Sequence, residues 1–332
     1  MKRGSQVKSK LGVDVSKAKF DVALLLEGKK YRSKVFSNEP AGFRALLQWI
    51  ESNVPGGPQQ LHVCMEATGV YHENLALFLH DQGIAVSVVN PLLVKRFVES
   101  EGVRSKTDSA DAKALARYAE QTQPELWQAP SPAVRKLQAL VTRLETLKGM
   151  RQAEENRLDV AHEAVRPSVV EIMSQLEANI QEVRAQIRQT IDDDPDLKSR
   201  RGLLETIPGL GDKTIPQLLA YIGRPERFKS VKALIAYAGL APLIQQSGTS
   251  LNKKRGTHPM GNEALRHALY FPAMVAGKYN PAIARFWQRL KAQNKPGKVI
   301  VVACMHKLLA IAYGVLKSGK PFDPEHSLIG AT

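Results

Sequence analysis

Apolar positions along this chain change period several times, and each period predicts a kind of element. Residues 11–15 form a short apolar run holding one acid, a strand pattern, and 20–26 with 31–36 flank the turn Glu27-Gly28-Lys29-Lys30 as a β-hairpin. Phe43, Leu46, Leu47 and Ile50 recur at helical spacing. They predict a helix capped by Ser37 or Asn38 and ended by Pro55-Gly56-Gly57-Pro58. Leu61, Val63 and Met65 alternate as a strand ending at Glu66, followed by a helix over 73–82 and a strand over 84–89. The order βββαβαβα argues an α/β domain, placed at residues 8–125.

Over residues 133–191 the steps become alternating threes and fours, through Val134, Leu137, Val141 and Leu144 and later Met173, Leu176, Ile180, Val183 and Ile187. Two long helices with a coiled-coil-like seam are expected from that spacing, and Pro167 is expected to break them into a hairpin or dimerising arm, residues 130–198. In Asp192-Asp193-Asp194-Pro195 the last acid reads better as a helix cap before a first-turn proline than as a metal ligand. Residues 200–320 read as wholly helical, joined by glycine and proline turns. The longest apolar segment, 299–316, carries His306 and Lys307 at its middle and reads as a buried helix of a soluble protein.

Charge sharpens this picture. The formal net charge is +15, and residues 201–332 hold 19 Lys and Arg against 6 Asp and Glu, so the excess lies in the last third. A polyanionic partner is implied, nucleic acid before a membrane surface, because no helix pairs a basic face with an aromatic one. Cys64 and Cys304 each sit in an apolar run, which supports neither a disulfide framework nor a cysteine zinc site and fits a reducing cytoplasm. The basic N-terminus lacks the apolar stretch of a signal peptide.

Asp14 lies inside an apolar strand, where an uncompensated carboxylate is costly. Glu66 ends the next core strand, so the two acids can lie side by side. Asp108 and Asp111 open a helix at a spacing of three, on one face. Each alone has a bland reading, the last two as dipole-favoured helix-start residues. As an ordered set they can converge and hold Mg2+ or Mn2+, hard cations that take oxygen ligands. Pro208-Gly209-Leu210-Gly211 between two helical segments resembles a helix-hairpin-helix, whose bare amides and Lys213 can cradle a backbone phosphate. Gln245-Gln246-Ser247-Gly248-Thr249-Ser250 reads as a polar loop leading to Lys253-Lys254-Arg255, a phosphate-contacting triplet or a solvated charge run. By spacing alone Ser247 is an ordinary loop serine with no base beside it except His258.

Together LGVDVSKAKFDVAL, MEATGVY, VVNPLLVKRFVESEGVRSKTDSADAKALA, LLETIPGLGDKT and YAGLAPLIQQSGTS resemble the insertion-sequence transposases that join a RuvC-like DEDD domain to a C-terminal transposase domain. The resemblance spans roughly residues 10–320. It implies a RuvC/RNase H-like α/β domain, a coiled-coil-like arm, and an all-α C-terminal domain with a helix-hairpin-helix. It also implies Asp14, Glu66, Asp108 and Asp111 as metal ligands and Ser247 as a nucleophile joined covalently to DNA. The partners it implies are donor and target DNA, a structured noncoding bridge RNA and further copies of the chain, from dimer to tetramer. One departure is Thr257-His258-Pro259-Met260, where relatives carry a Ser-Lys pair. Two rival readings are a RuvC-like nuclease or resolvase that uses water, needing the acids but not Ser247, and a non-catalytic nucleic-acid-binding protein, which leaves Asp14 without a purpose.

Overall fold

The computed structural model describes residues 9–26, 30–67, 69–101, 108–247, 251–257 and 261–325, with backbone alone at 108–109, 242–247 and 251–257. The chain divides into two compact units, one ending at Ala129 and one beginning at Pro130.

In the first unit, β1 (Ser9–Val15), β2 (Lys19–Leu25) and β3 (Tyr31–Ser37) run antiparallel, while β4 (Leu61–Glu66) and β5 (Ala85–Val89) lie parallel to β1. The sheet order is β3-β2-β1-β4-β5. Its helices are α1 (Pro40–Asn53), α2 (Glu73–Asp81), α3 (Pro91–Ser100) and α4 (Asp108–Thr122). Both sheet faces are covered, which is why the parallel strands read as near-continuous apolar runs. Leu11, Val13 and Val15 pack with Phe43, Leu46 and Ile50 of α1 and Leu75 and Leu79 of α2. On the other face Cys64 and Val89 meet Val94 of α3 and Leu115 and Ala119 of α4.

The cap of α1 differs from expectation. Glu39 holds the N-cap position without a side-chain bond, and Asn38 Nδ2 instead donates to the carbonyls of Ser16 and Tyr71 at 2.9 and 3.1 Å. Pro40, at the first turn, starts the helix by its fixed φ. A buried polar chain pins the sheet. Lys10 Nζ lies 3.2 Å from His62 Nδ1, so that nitrogen accepts, and His62 Nε2 donates to Ser87 Oγ at 2.8 Å. Ser87 Oγ donates in turn to the carbonyl of Glu125 at 2.7 Å.

Gly12 decides how close α4 comes. A Cβ built there would run into the backbone of Ala112 and Ala116. Neither obstacle can swing away as a side chain would, so Gly12→Ala should cost about 3 kcal/mol or more. The expected reading is an earlier urea transition of the full-length chain and faster amide exchange in α4. A wild-type midpoint would disprove the close approach.

The second unit begins with α5 (Pro132–Val160) and α6 (Arg166–Asp193), which pack on each other, with Arg151 Nε 3.9 Å from Glu177. The break falls at 161–165 rather than at Pro167, because proline in a first turn starts a helix instead of ending one. The base of this hairpin shares one core with six further helices, α7 (Pro195–Glu205), α8 (Ile215–Ile222), α9 (Val231–Tyr237), α10 (Glu263–Tyr279), α11 (Pro281–Ala292) and α12 (Gly297–Ser318). Asp194 caps α7 as expected, accepting from the Leu197 amide at 2.9 Å. α12 is long and apolar enough to span a membrane by length and composition, and the share of it packed in the core is as expected of a buried helix. The expectation of an all-helical 200–320 is corrected, since β6 (Pro242–Ser247) and β7 (Leu251–Thr257) form a two-stranded antiparallel hairpin. Apart from Pro242, Leu243, Ile244 and Leu251 its strands are polar, and they carry no apolar alternation, the signal by which strands are read.

Candidate active site

The sheet register places acids in a row. β1 and β4 pair in parallel through Gly12 with Cys64 and Val13 with Met65, so Asp14 and Glu66 fall at the next step on neighbouring strands. Gly12 faces α4, and strand alternation puts Asp14 and Glu66 on that face also. Asp21 lies directly opposite Asp14 on β2. It is an acid that the sequence reading passed over, held 3.2 Å from Lys19. The only signal for it was its position as a polar residue in an apolar strand, and its register with Asp14 depends on the hairpin.

Asp108 and Asp111 open α4, whose Ala112 is the residue that closes on Gly12, so the helix start lies beside this row. Asp14, Glu66 and Asp111 all have interacting partners. The side chain of Asp108 lies outside the described residues. Among the described residues no group of three or more His, Cys, Asp or Glu side chains is close enough to hold an ion. The acids that the register sets in a row, Asp21, Asp14 and Glu66, carry oxygen donors of the kind a hard divalent cation takes.

In the second unit the turn between α7 and α8 is held from behind. Buried Asn280 donates from Nδ2 to the Pro208 carbonyl at 3.2 Å and accepts from the Ala282 and Ile283 amides, which ties the turn to the start of α11. Gly209 has φ +105°, and a Cβ there would lie 2.6 Å from Ala276 Cβ and 2.9 Å from its backbone. Gly211 has open space around it. The two glycines therefore differ in kind. Gly209→Ala should lower stability by about 2–4 kcal/mol, whereas Gly211→Ala should stay within about 0.5 kcal/mol. Equal melting temperatures for the two variants would contradict this assignment.

A cleft of about 220 Å³ opens beside that turn, lined by Lys148, Arg184, Arg188 and Lys213 and by Asp212. Lys148 pairs with Glu145 at 2.7 Å. Arg184 and Arg188 make no ion pair among the described residues. Sequence reasoning found Lys213 and missed the two arginines, which lie on α6 and reach the turn only through packing of the arm.

Ser247 is the last residue of β6, in register with Leu251 across the hairpin tip. Lys253 pairs with Gln245, Lys254 with Ile244 and Arg255 with Leu243, so the basic triplet forms the returning strand. The expected polar loop around Ser247 is thus a strand end, while Gly248, Thr249, Ser250 and His258 lie outside the described residues. A competing thiol nucleophile is unsuited, because burial pushes Cys64 up to about 12 and Cys304 up to about 11, keeping both protonated.

Two family models match the chain, and both describe transposases. One, of the DEDD type named for IS110, covers residues 11–167, and the other, "Transposase IS116/IS110/IS902 family", covers 201–288. Pilin gene-inverting proteins of Moraxella bovis and Moraxella lacunata are each 38% identical over 318 residues, 95% of this chain and 98% of theirs. A putative transposase of Sinorhizobium fredii is 26% identical over 94% of this chain and 85% of its own length. The chain belongs to the IS110 family of transposases. A structure of Thermus thermophilus RuvC in complex with a Holliday junction substrate aligns with 36% of this chain and 99% of its own, at 14% identity and a TM-score of 0.26, a likeness too slight to carry an argument.

Proposed function

We propose that this chain is a DNA recombinase that exchanges strands of an insertion element through a covalent serine–DNA intermediate at Ser247. Asp14, Glu66, Asp108 and Asp111 would hold Mg2+ or Mn2+, which when bound supplies charge stabilisation at the reacting phosphate. The observation that carries the reading is the register of Asp14 beside Glu66 on the α4 face in a chain of this family. The kinship to gene-inverting proteins, 38% identical along almost the whole chain, favours rejoining of cut ends over simple hydrolysis.

In the proposed reaction the Ser247 hydroxyl oxygen bonds to phosphorus and gives its proton to solvent or a base, while the bond from phosphorus to one DNA oxygen breaks and that oxygen takes up a proton from solvent or an acid to leave as a free hydroxyl. The phosphodiester becomes a phosphoserine ester of similar reactivity, so a second DNA hydroxyl can displace the serine without an outside energy source. Lys253, Lys254 and Arg255, on the strand paired with that of Ser247, suit binding of the flanking phosphates. The turn at Gly209 to Lys213, read as a helix-hairpin-helix, and the adjoining Arg184 and Arg188 suit the backbone of the same duplex further off. Guidance by a structured RNA, and assembly from dimers to a tetramer in which the acids of one copy meet the serine of another, rest on the resemblance of the motifs.

The test is denaturing electrophoresis of end-labelled element DNA incubated with the RNA-loaded chain and Mg2+. A slow-migrating protein–DNA species that disappears with chelator and with ribonuclease supports the reading. Free cut ends without an adduct would replace it by water-dependent nuclease action.

A further inference from the structure

α10 has two faces of nearly equal apolarity, and only one is covered. Leu265, Leu269, Ala273 and Ala276 are buried in the core. The opposite side carries Tyr270, Phe271, Met274 and Val275, all exposed, Phe271 at 72%, and Tyr279, 62% exposed, ends the helix about 80° round from Phe271. Contiguous apolar stripes of this kind on a soluble protein usually mark a contact surface.

Charge narrows the chemistry of that contact. Residues 264–322, which form nearly all of α10 and the whole of α11 and α12, contain ten Lys and Arg and no Asp or Glu. The one acid of α10, Glu263, opens the helix beside His267 at 3.7 Å. Cations also sit on the aromatic rings, with Lys278 Nζ 5.1 Å from the centroid of Tyr279. On the neighbouring helices Arg289 and Lys307 lie 5.2 and 5.4 Å from the ring of Phe286. An occupant that fits must bring negative charge and flat π-faces together, and nucleic acid brings both. In a duplex the base faces are stacked on one another and out of reach of a convex helix. In an unpaired strand they are free.

We propose that the exposed face of α10 is a stacking platform for single-stranded nucleic acid, with Phe271 and Tyr279 as the base-stacking rings and Lys278 as a phosphate contact. The proposal rests on the reading of the chain as a strand-exchanging enzyme, which must at some stage hold unpaired segments. Lys278 lies about two helical turns beyond Phe271 in nearly the same direction and Tyr279 about 80° round from it, so an unpaired strand that curves round the end of the helix can meet all three.

The experiment compares the full-length wild type with a Phe271→Ala/Tyr279→Ala variant in fluorescence anisotropy. The probes are single-stranded DNA and single-stranded RNA of about 15 nucleotides and a duplex DNA of the same length. Both side chains are exposed, so the variant should melt as the wild type does. Its affinity for single strands should fall about 10- to 100-fold, with duplex affinity unchanged. A Phe271→Trp/Tyr279→Trp variant should retain binding, since any aromatic plane stacks. A loss confined to the DNA probe or to the RNA probe identifies which strand the platform serves.

Undiminished single-strand binding by the alanine variant overturns the proposal. So does a wild-type self-association that the variant abolishes, because α10 would then be an interface between copies. Failure of the recombinase reading has a different signature, single-strand binding that depends on Phe271 and Tyr279 in a chain that forms no DNA adduct.

Discussion

Ser247→Ala is expected to eliminate the slow-migrating protein–DNA species and to lower strand rejoining by about a thousandfold or more. Folding and DNA affinity should stay at wild-type levels. The size of the effect comes from the chemistry. A nucleophile that carries the phosphate between two DNA hydroxyls is needed in both half-reactions, and alanine offers no atom to bond. Stability is insulated because Ser247 ends a two-stranded polar hairpin rather than a core strand. Thr249 and Ser250 are the competing hydroxyls three residues or fewer away. Peptide mapping of the wild-type adduct separates them, and an adduct that persists in Ser247→Ala would transfer the role to one of these neighbours.

Asp14→Asn should abolish strand exchange to a comparable degree while leaving duplex binding nearly intact. Asparagine is almost isosteric and can hydrogen-bond where aspartate did, but it lacks the formal charge that draws a divalent cation. Asp14 is flanked in register by Glu66 on one strand and Asp21 on the other, so the substitution removes the central charge of a row. Like charges so arranged repel unless a cation or a basic group offsets them, and Asp14 has interacting partners of its own, so the melting temperature of the apo-protein should change little. The comparison is of strand-exchange rate and melting temperature in Mg2+ and in chelator. Wild-type exchange by Asp14→Asn would dismiss the metal reading. A Mg2+-dependent rise in melting temperature that the variant lacks would support it directly.

Much of the first unit was legible in one dimension. Strands β1, β2, β4 and β5 announce themselves as short apolar runs, because a sheet covered on both faces accepts little else, and Asp14 stands out against that background. The cap at Asp194 was equally plain, since Asp before Pro satisfies a local geometry that needs no distant partner. The β6–β7 hairpin was not legible, for its few apolar residues, Leu243, Ile244 and Leu251, do not alternate with the polar ones and a periodicity argument has nothing to count. Nor was the α1 cap, where Asn38 is drawn off to the carbonyls of Ser16 and Tyr71, the latter 33 residues along the chain.

By itself the sequence marked candidates for chemistry, the acids, the basic last third and the glycine turn, with the serine added by the resemblance of the motifs, together with the periodicities that build most of the elements. Those properties belong to side chains and near neighbours, and a linear reading reaches them. Tertiary structure alone decided which of these residues share a surface. Register brought Asp21 opposite Asp14, arm packing carried Arg184 and Arg188 to the turn before α8, and contact with Ala276 gave Gly209 a packing role that its twin Gly211 lacks. The same holds for α10, where apolar residues lie on both sides of the helix and the sequence cannot say which side the core takes. Burial is a property of the groups that pack against a residue, and for α10 the core covers Leu269 and leaves Phe271 to solvent.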